Sequence, residues 1–135
     1  MNYFEGKRLE ENDSFRITST YNRVQWIVLS VVLNPQGWRD DKDVQYTLSG
    51  TIAALKRQTA TTRRDDPWAL ADLGLLAALA EDQVLAGEAF RSMNALKPVA
   101  DLYTSGRPVI ERLAKALDNP AGLRLAAQWY GAGSG

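Results

Sequence analysis

Catalysis in a chain without histidine or cysteine has few groups to work with, and this sequence contains neither. That removes the commonest general base, the usual partner of a serine nucleophile, the thiolate, and the ligands most zinc sites rely on. Carboxylates, lysines, tyrosines and serines remain. The acidic pairs Asp40-Asp41 and Asp65-Asp66 could bind a cation or share a proton, but neighbours in sequence need not converge on one point. Each pair stands ahead of a helix-like segment, where a carboxylate accepts from free backbone N–H groups, and that role is expected for both. Tyr103 and Ser105 have no base beside them. The run Ser105 to Pro108, "SGRP", lacks the glycine spacing and the Lys-Ser/Thr ending of a phosphate loop and reads as a turn. Lys56, Arg57, Arg63 and Arg64 cluster in "KRQTATTRRDD", which reads as a solvated loop rather than an anion site. The sequence thus predicts no catalytic, cofactor-binding or metal-ligating residue, and no enzyme.

Composition bounds the remaining classes. At 135 residues the chain suits one domain, and a chain of that size buries about two-thirds of its unfolded surface. Apolar residues at 45% and charged ones at 24% are those of a globular protein, not of a disordered or fibrous one. The formal net charge is zero, so no general affinity for nucleic acid or anionic lipid is expected. "MNYFEGKRLEEND" lacks the apolar core of a signal peptide, and no apolar run reaches the ~18 residues of a membrane span. A cytoplasmic location and no membrane partner follow as expectations.

The elements that would position any site all read as helices. Residues 1–17 are polar and mixed in charge, a short helix or docking arm carrying Tyr3, Phe4, Leu9 and Phe15. Thr18 to Thr20 offer N-caps for an apolar run from Val24 to Leu33. Its β-branched content also suits a strand, but no second strand-like segment exists to pair with it, and a lone strand leaves its backbone unsatisfied. Lys42 to about Thr59 places Val44, Leu48, Ile52 and Leu55 on one face. Asp65 or Asp66 then caps a helix with Pro67 in its first turn, where the missing N–H is harmless. In that helix every residue from Pro67 to Leu79 except Asp72 is apolar or glycine. After a break at Glu81-Asp82, the next segment offers Val84, Leu85, Phe90, Met93 and Leu96 for burial. A helix from Pro98 is expected to be interrupted near Ser105 to Pro108. Asn119-Pro120 repeat the cap-then-proline signal before "AGLRLAAQWY". The expected organisation is a single all-α domain over 18–130, five to seven helices on short loops, and a flexible tail over 131–135.

Residues Pro67 to Ala100 fit the spacing of a tetratricopeptide hairpin, a unit of about 34 residues. Leu73-Gly74 falls on its L-G pair, Ala86 and Phe90 on A-x3-F, and Pro98 on the closing proline. The fit has a physical basis. Gly74 and Ala86 would sit where the two helices come closest, with Phe90 beside them. Leu70, Ala77 and Met93 depart from the template's Trp, Tyr and small residue. The fold class expected is therefore all-α antiparallel hairpins forming a fragment of a right-handed tetratricopeptide-like α-solenoid. The order of segments from Tyr21 to Leu117 also resembles the TRAFs-binding domain, the tetratricopeptide-like regulatory module of apoptosis signal-regulating kinases and of bacterial signalling proteins.

The resemblance implies a scaffold or regulatory module that binds partners and has no catalysis of its own. It puts Trp68, Ala71, Leu75, Ala78 and Leu79 on the groove face of the first helix. Family members that clamp a peptide carboxylate carry Lys, Arg or Asn at such positions, and none is present here. An apolar groove of this kind must be covered. The candidates are the C-terminal helix with Leu123, Leu125, Trp129 and Tyr130, a second copy of the chain, or a partner's helix. Trp129 joins the five groove residues as a partner-binding expectation. A self-associating structural bundle, and a small-ligand or metal-binding helical protein, stand as alternatives.

Overall fold

A computed structural model describes residues 20–118 and 121–134. The arm read over residues 1–17 and the Asn119-Pro120 signal lie outside these described residues. Among them the chain is all-helical, without a strand. The helices are α1 (Tyr21–Leu33), α2 (Lys42–Ala60), α3 (Pro67–Leu79), α4 (Gln83–Ala95), α5 (Ala100–Ala116) and α6 (Ala121–Ser134), with a short 3-10 segment at Trp38–Asp40. None is long and apolar enough to cross a membrane.

Local chemistry starts three of the helices. Asp41 accepts from the backbone N–H groups of Asp43 at 2.9 Å and Val44 at 3.2 Å, opening α2. Asp66 does the same for α3 through Trp68 at 3.0 Å and Ala69 at 3.3 Å, with Pro67 in the first turn. Asp82 opens α4 by accepting from Leu85 at 3.1 Å. Such caps each contribute about 1 kcal/mol. The ends are built differently. Glu81, Lys97 and Asp118, just past α3, α4 and α5, adopt φ of 63°, 51° and 58°, the left-handed turn usually given to glycine. After α3 it is closed by the N–H of Asp82 donating to the Ala77 carbonyl at 2.9 Å and that of Glu81 to the Ala78 carbonyl at 3.1 Å.

The apolar helix α3 is greasy on every side because α2, α4, α5 and α6 all pack against it. Its most extensive partner is α4, reached through a three-residue link. Helix α1 touches α2 and, from the far end of the chain, α5. Two glycines let these helices come close. A Cβ on Gly74 would stand 2.5 Å from the ring of Phe90 on α4, and one on Gly106 would run into the ring of Tyr130 on α6. The two rings meet each other edge to face, with centroids 5.9 Å apart and planes at 82°. Tyr103 of α5 adds a second such contact with Tyr130 at 5.7 Å and 84°. Gly74, Phe90, Tyr130 and Gly106 thus form one continuous line of contact through α3, α4, α6 and α5.

Several expectations need correcting. Helix α5 runs unbroken through Ser105 to Pro108; Pro108 lies on the exposed face, where water can serve the carbonyl that proline leaves without a donor. Val84 is 73% exposed because the buried stripe of α4 is Ala86, Ala89, Phe90 and Met93, and Val84 projects from the opposite side. Leu96 is exposed because α4 has already ended there. Thr20 occupies the N-cap of α1 without capping it through its side chain. Helix α6 continues to Ser134, through the glycine-rich end read as a flexible tail.

Gly74→Ala tests the close approach. Alanine gains about 1 kcal/mol of helix propensity, but the fully buried Phe90, held by Tyr130, leaves no room for the added methyl. We expect a net loss of about 1–2 kcal/mol in denaturant unfolding, partly restored when Phe90→Leu is combined with it. A gain in stability would show that α3 and α4 do not meet through this pair.

Candidate partner-binding cleft

The helices that pack on α3 leave a solvent-open gap beside its first half. Between α1, α3 and α5 lies a cleft of about 590 Å³. Its walls are apolar: Val24 and Val28 from α1, Ala71 and Leu75 from α3, Leu102, Val109 and Ile110 from α5. The space exists because several facing positions are small, Ala71, Ser105 and Gly106 among them, and Gly106 is already covered by Tyr130. Two aromatic residues lining it stay open to solvent, Tyr21 at 63% exposure and Trp68 at 46%.

Three of the six residues expected to bind a partner, Trp68, Ala71 and Leu75, line this cleft together. The other three do not. Ala78 and Leu79 lie at the far end of α3, where they border a separate cavity of about 310 Å³ with Arg39, Glu81 and Leu117. There α6 lies so close that a Cβ on Gly122 would meet the Ala78 carbonyl at 2.8 Å. Trp129 is partly buried against the core and does not line the cleft; its neighbour Tyr130 does. One residue along a helix is a rotation of about 100°, and the room left by Gly106 selects Tyr130 as the inward ring. The chain's own C-terminal helix therefore covers half of the α3 face, and among the described residues no helix covers the half nearer Trp68.

Polar groups enter the cleft at one place. Arg63, from the loop before α3, donates from Nε to Asp66 Oδ2 at 3.0 Å and from Nη1 to Gln58 Oε1 at 3.0 Å and Thr20 Oγ1 at 3.2 Å. It joins the start of α1, the end of α2 and the cap of α3, and is no solvated loop residue. Asp72, one turn beyond Trp68 on α3, also lines the cleft. Its carboxyl is half-buried and faces the cleft. Burial pushes Asp72 up to about 7; the Arg63 charge pulls against this, and the Asp66 charge adds to it. Burial also raises the Tyr130 phenol, helped by the charge on Asp72 and by Tyr103, so Tyr130 stays protonated and neutral. On the outer side of Tyr130, Tyr103 donates its hydroxyl to Asn94 Oδ1.

Asp72 and Arg63 were not singled out by the sequence as cleft residues. The signal for Asp72 was there: it is the one charge within an otherwise apolar helix, and a charge kept in such a place is either paired or used. Arg63 gave no signal, since its partners Thr20 and Gln58 come from other elements. Among the described residues no three acidic side chains converge on a point that could hold a metal ion. Comparison of the chain with protein-family models, with curated proteins and with solved structures returns no match.

The raised carboxyl carries a stability cost with a definite sign. An aspartate ionises near 3.9 when unfolded and about 7 when folded, so the native state holds the proton more tightly. The contribution of Asp72 to stability is fully present below pH ~4 and is lost as pH rises through about 7, by an amount on the order of a few kcal/mol. Asp72→Asn removes that titration. Denaturant unfolding should show the variant more stable than wild type near pH ~8, with the two converging towards pH ~4. A difference independent of pH would mean that Asp72 is solvated.

Proposed function

We propose that this chain is a non-catalytic interaction module, built on a tetratricopeptide-like hairpin, that receives a partner's helix or peptide in the cleft between α1, α3 and α5. The observation that carries this reading is the convergence of Trp68, Ala71 and Leu75 on one apolar, solvent-open cleft with two exposed aromatics lining it. Half-exposed Trp and Tyr beside an apolar depression are the residue types that dominate binding energy when a partner covers them. An amphipathic helix, with apolar side chains at i, i+3, i+4 and i+7, has the shape and chemistry for such a groove.

The tetratricopeptide-like character is supported by the contact between Gly74 and Phe90 in the α3–α4 hairpin, the two positions that the repeat template pairs. The contact between α1 and α5 departs from an open solenoid. It closes the helix series on itself and turns a long groove into a bounded cleft. A scaffold or regulatory role in a larger signalling assembly accords with the resemblance to the TRAFs-binding domain. The absence of His and Cys from the whole sequence accords with a module that binds and does not react.

Trp68→Glu tests the reading. Trp68 is half exposed, so the change should leave the helical circular dichroism spectrum intact and alter stability by only about 0.5 kcal/mol. A pull-down from native lysate, compared with Val84→Glu on the exposed side of α4, should lose its specific partner by about tenfold or more. If both variants retain the same proteins as wild type, the cleft is not the binding surface.

A further inference from the structure

We propose that the partner engages the cleft through a lysine, whose alkyl stem lies along Ala71, Leu75 and Val109 and whose ammonium pairs with Asp72 beside Trp68. This rests on the reading of the cleft as the partner's groove and adds the chemistry of the residue it takes.

The charges that face Asp72 decide the sign. From the α2–α3 loop comes Arg63, already neutralised by Asp66 at 3.0 Å. Of the described residues lining the cleft, α1 contributes one titratable group, Tyr21, α5 none, and α6 Tyr130, which stays neutral. Among the described residues lining the cleft, Asp72 is thus the surplus negative charge, a half-buried carboxyl facing apolar walls. An ammonium supplies both an opposite charge and a hydrogen-bond donor. Trp68 stands one helical turn before Asp72, on the same face of α3, and is a half-exposed aromatic beside the path of a cation entering from solvent. The apolar walls beside the carboxyl suit a flexible methylene stem more than the broad fork of arginine, which prefers bidentate partners.

Asp72 must ionise to pair with a cation, and the molecule pays for that at neutral pH without a ligand. Lysine binding should therefore draw a proton off Asp72 and grow tighter as pH rises, by up to ~10-fold per unit below about 7, levelling off above it.

The test uses the full chain and two acetylated, amidated amphipathic helical peptides. Both carry leucines on the apolar face; one has a lysine at its centre, the other norleucine. In isothermal titration near pH ~8 the lysine peptide should bind ~10- to 100-fold more tightly. Near pH ~5.5 that advantage should fall away, and titrations in buffers of different ionisation enthalpy should show a proton released on binding. Asp72→Asn, checked by its melting curve, should bind both peptides alike at either pH. Equal binding of the two peptides to wild type overturns the lysine inference and leaves the groove reading standing. Failure of both peptides to bind overturns the groove reading and this inference with it. If free n-butylamine binds as tightly as the lysine peptide, Asp72 serves a small amine and not a partner's lysine, which also overturns it.

Discussion

Two missing side chains hold the molecule together. Gly74 lets the Phe90 ring lie against α3, and Gly106 lets the Tyr130 ring lie against α5. The rings then meet edge to face in the middle. Close packing makes this arrangement all-or-none, because a buried ring displaced by one methyl has nowhere to go. The position of α6 follows from it. Once Tyr130 is seated over Gly106, the start of the same helix lands on Ala78, and the upper half of α3 is sealed by the chain itself. The cleft exists because, among the described residues, the same seating leaves the lower half of α3 without a covering helix.

A second constraint acts at that lower end and is electrostatic. Arg63 gathers the start of α1, the end of α2 and the cap of α3 through three hydrogen bonds, so the rim of the cleft is tied together by residues 43 positions apart in sequence. Its charge is satisfied by Asp66. Asp72 is left as a carboxyl in apolar surroundings, raised to about 7 by burial. A core designed only for stability would place a leucine or alanine there. Groups that cost stability and face an open cleft are where binding sites are found, because the strain is relieved only when a ligand arrives.

What the residues disclosed without tertiary information was whatever is settled within one helical turn. Asp41 and Asp66 could be read as caps, Pro67 as a first-turn proline, and Val44, Leu48 and Leu55 as one buried face, because each depends on neighbours no more than four positions away. The close approach at Gly74 could be read too, since the spacing to Ala86 and Phe90 places them across a short hairpin. The all-helical class followed from the sum of these local signals.

Contacts between distant elements decided the rest. Helix α5 could pass through Pro108 because that face meets solvent, a fact no local window contains. Val84 and Leu96 looked as apolar as Phe90 and Met93, yet stayed exposed, because α3 and α6 pack on only one side of α4. Trp129 and Tyr130 were equivalent as sequence; Gly106, 24 positions earlier, chose between them. The sequence by itself determined which segments are helices and where most of them start, since capping and periodicity are short-range. Only the tertiary structure decided which half of α3 remains open and that Asp72 faces it, since both depend on how α1, α5 and α6 stack, and that is fixed by ring-to-glycine contacts formed only when the chain has folded.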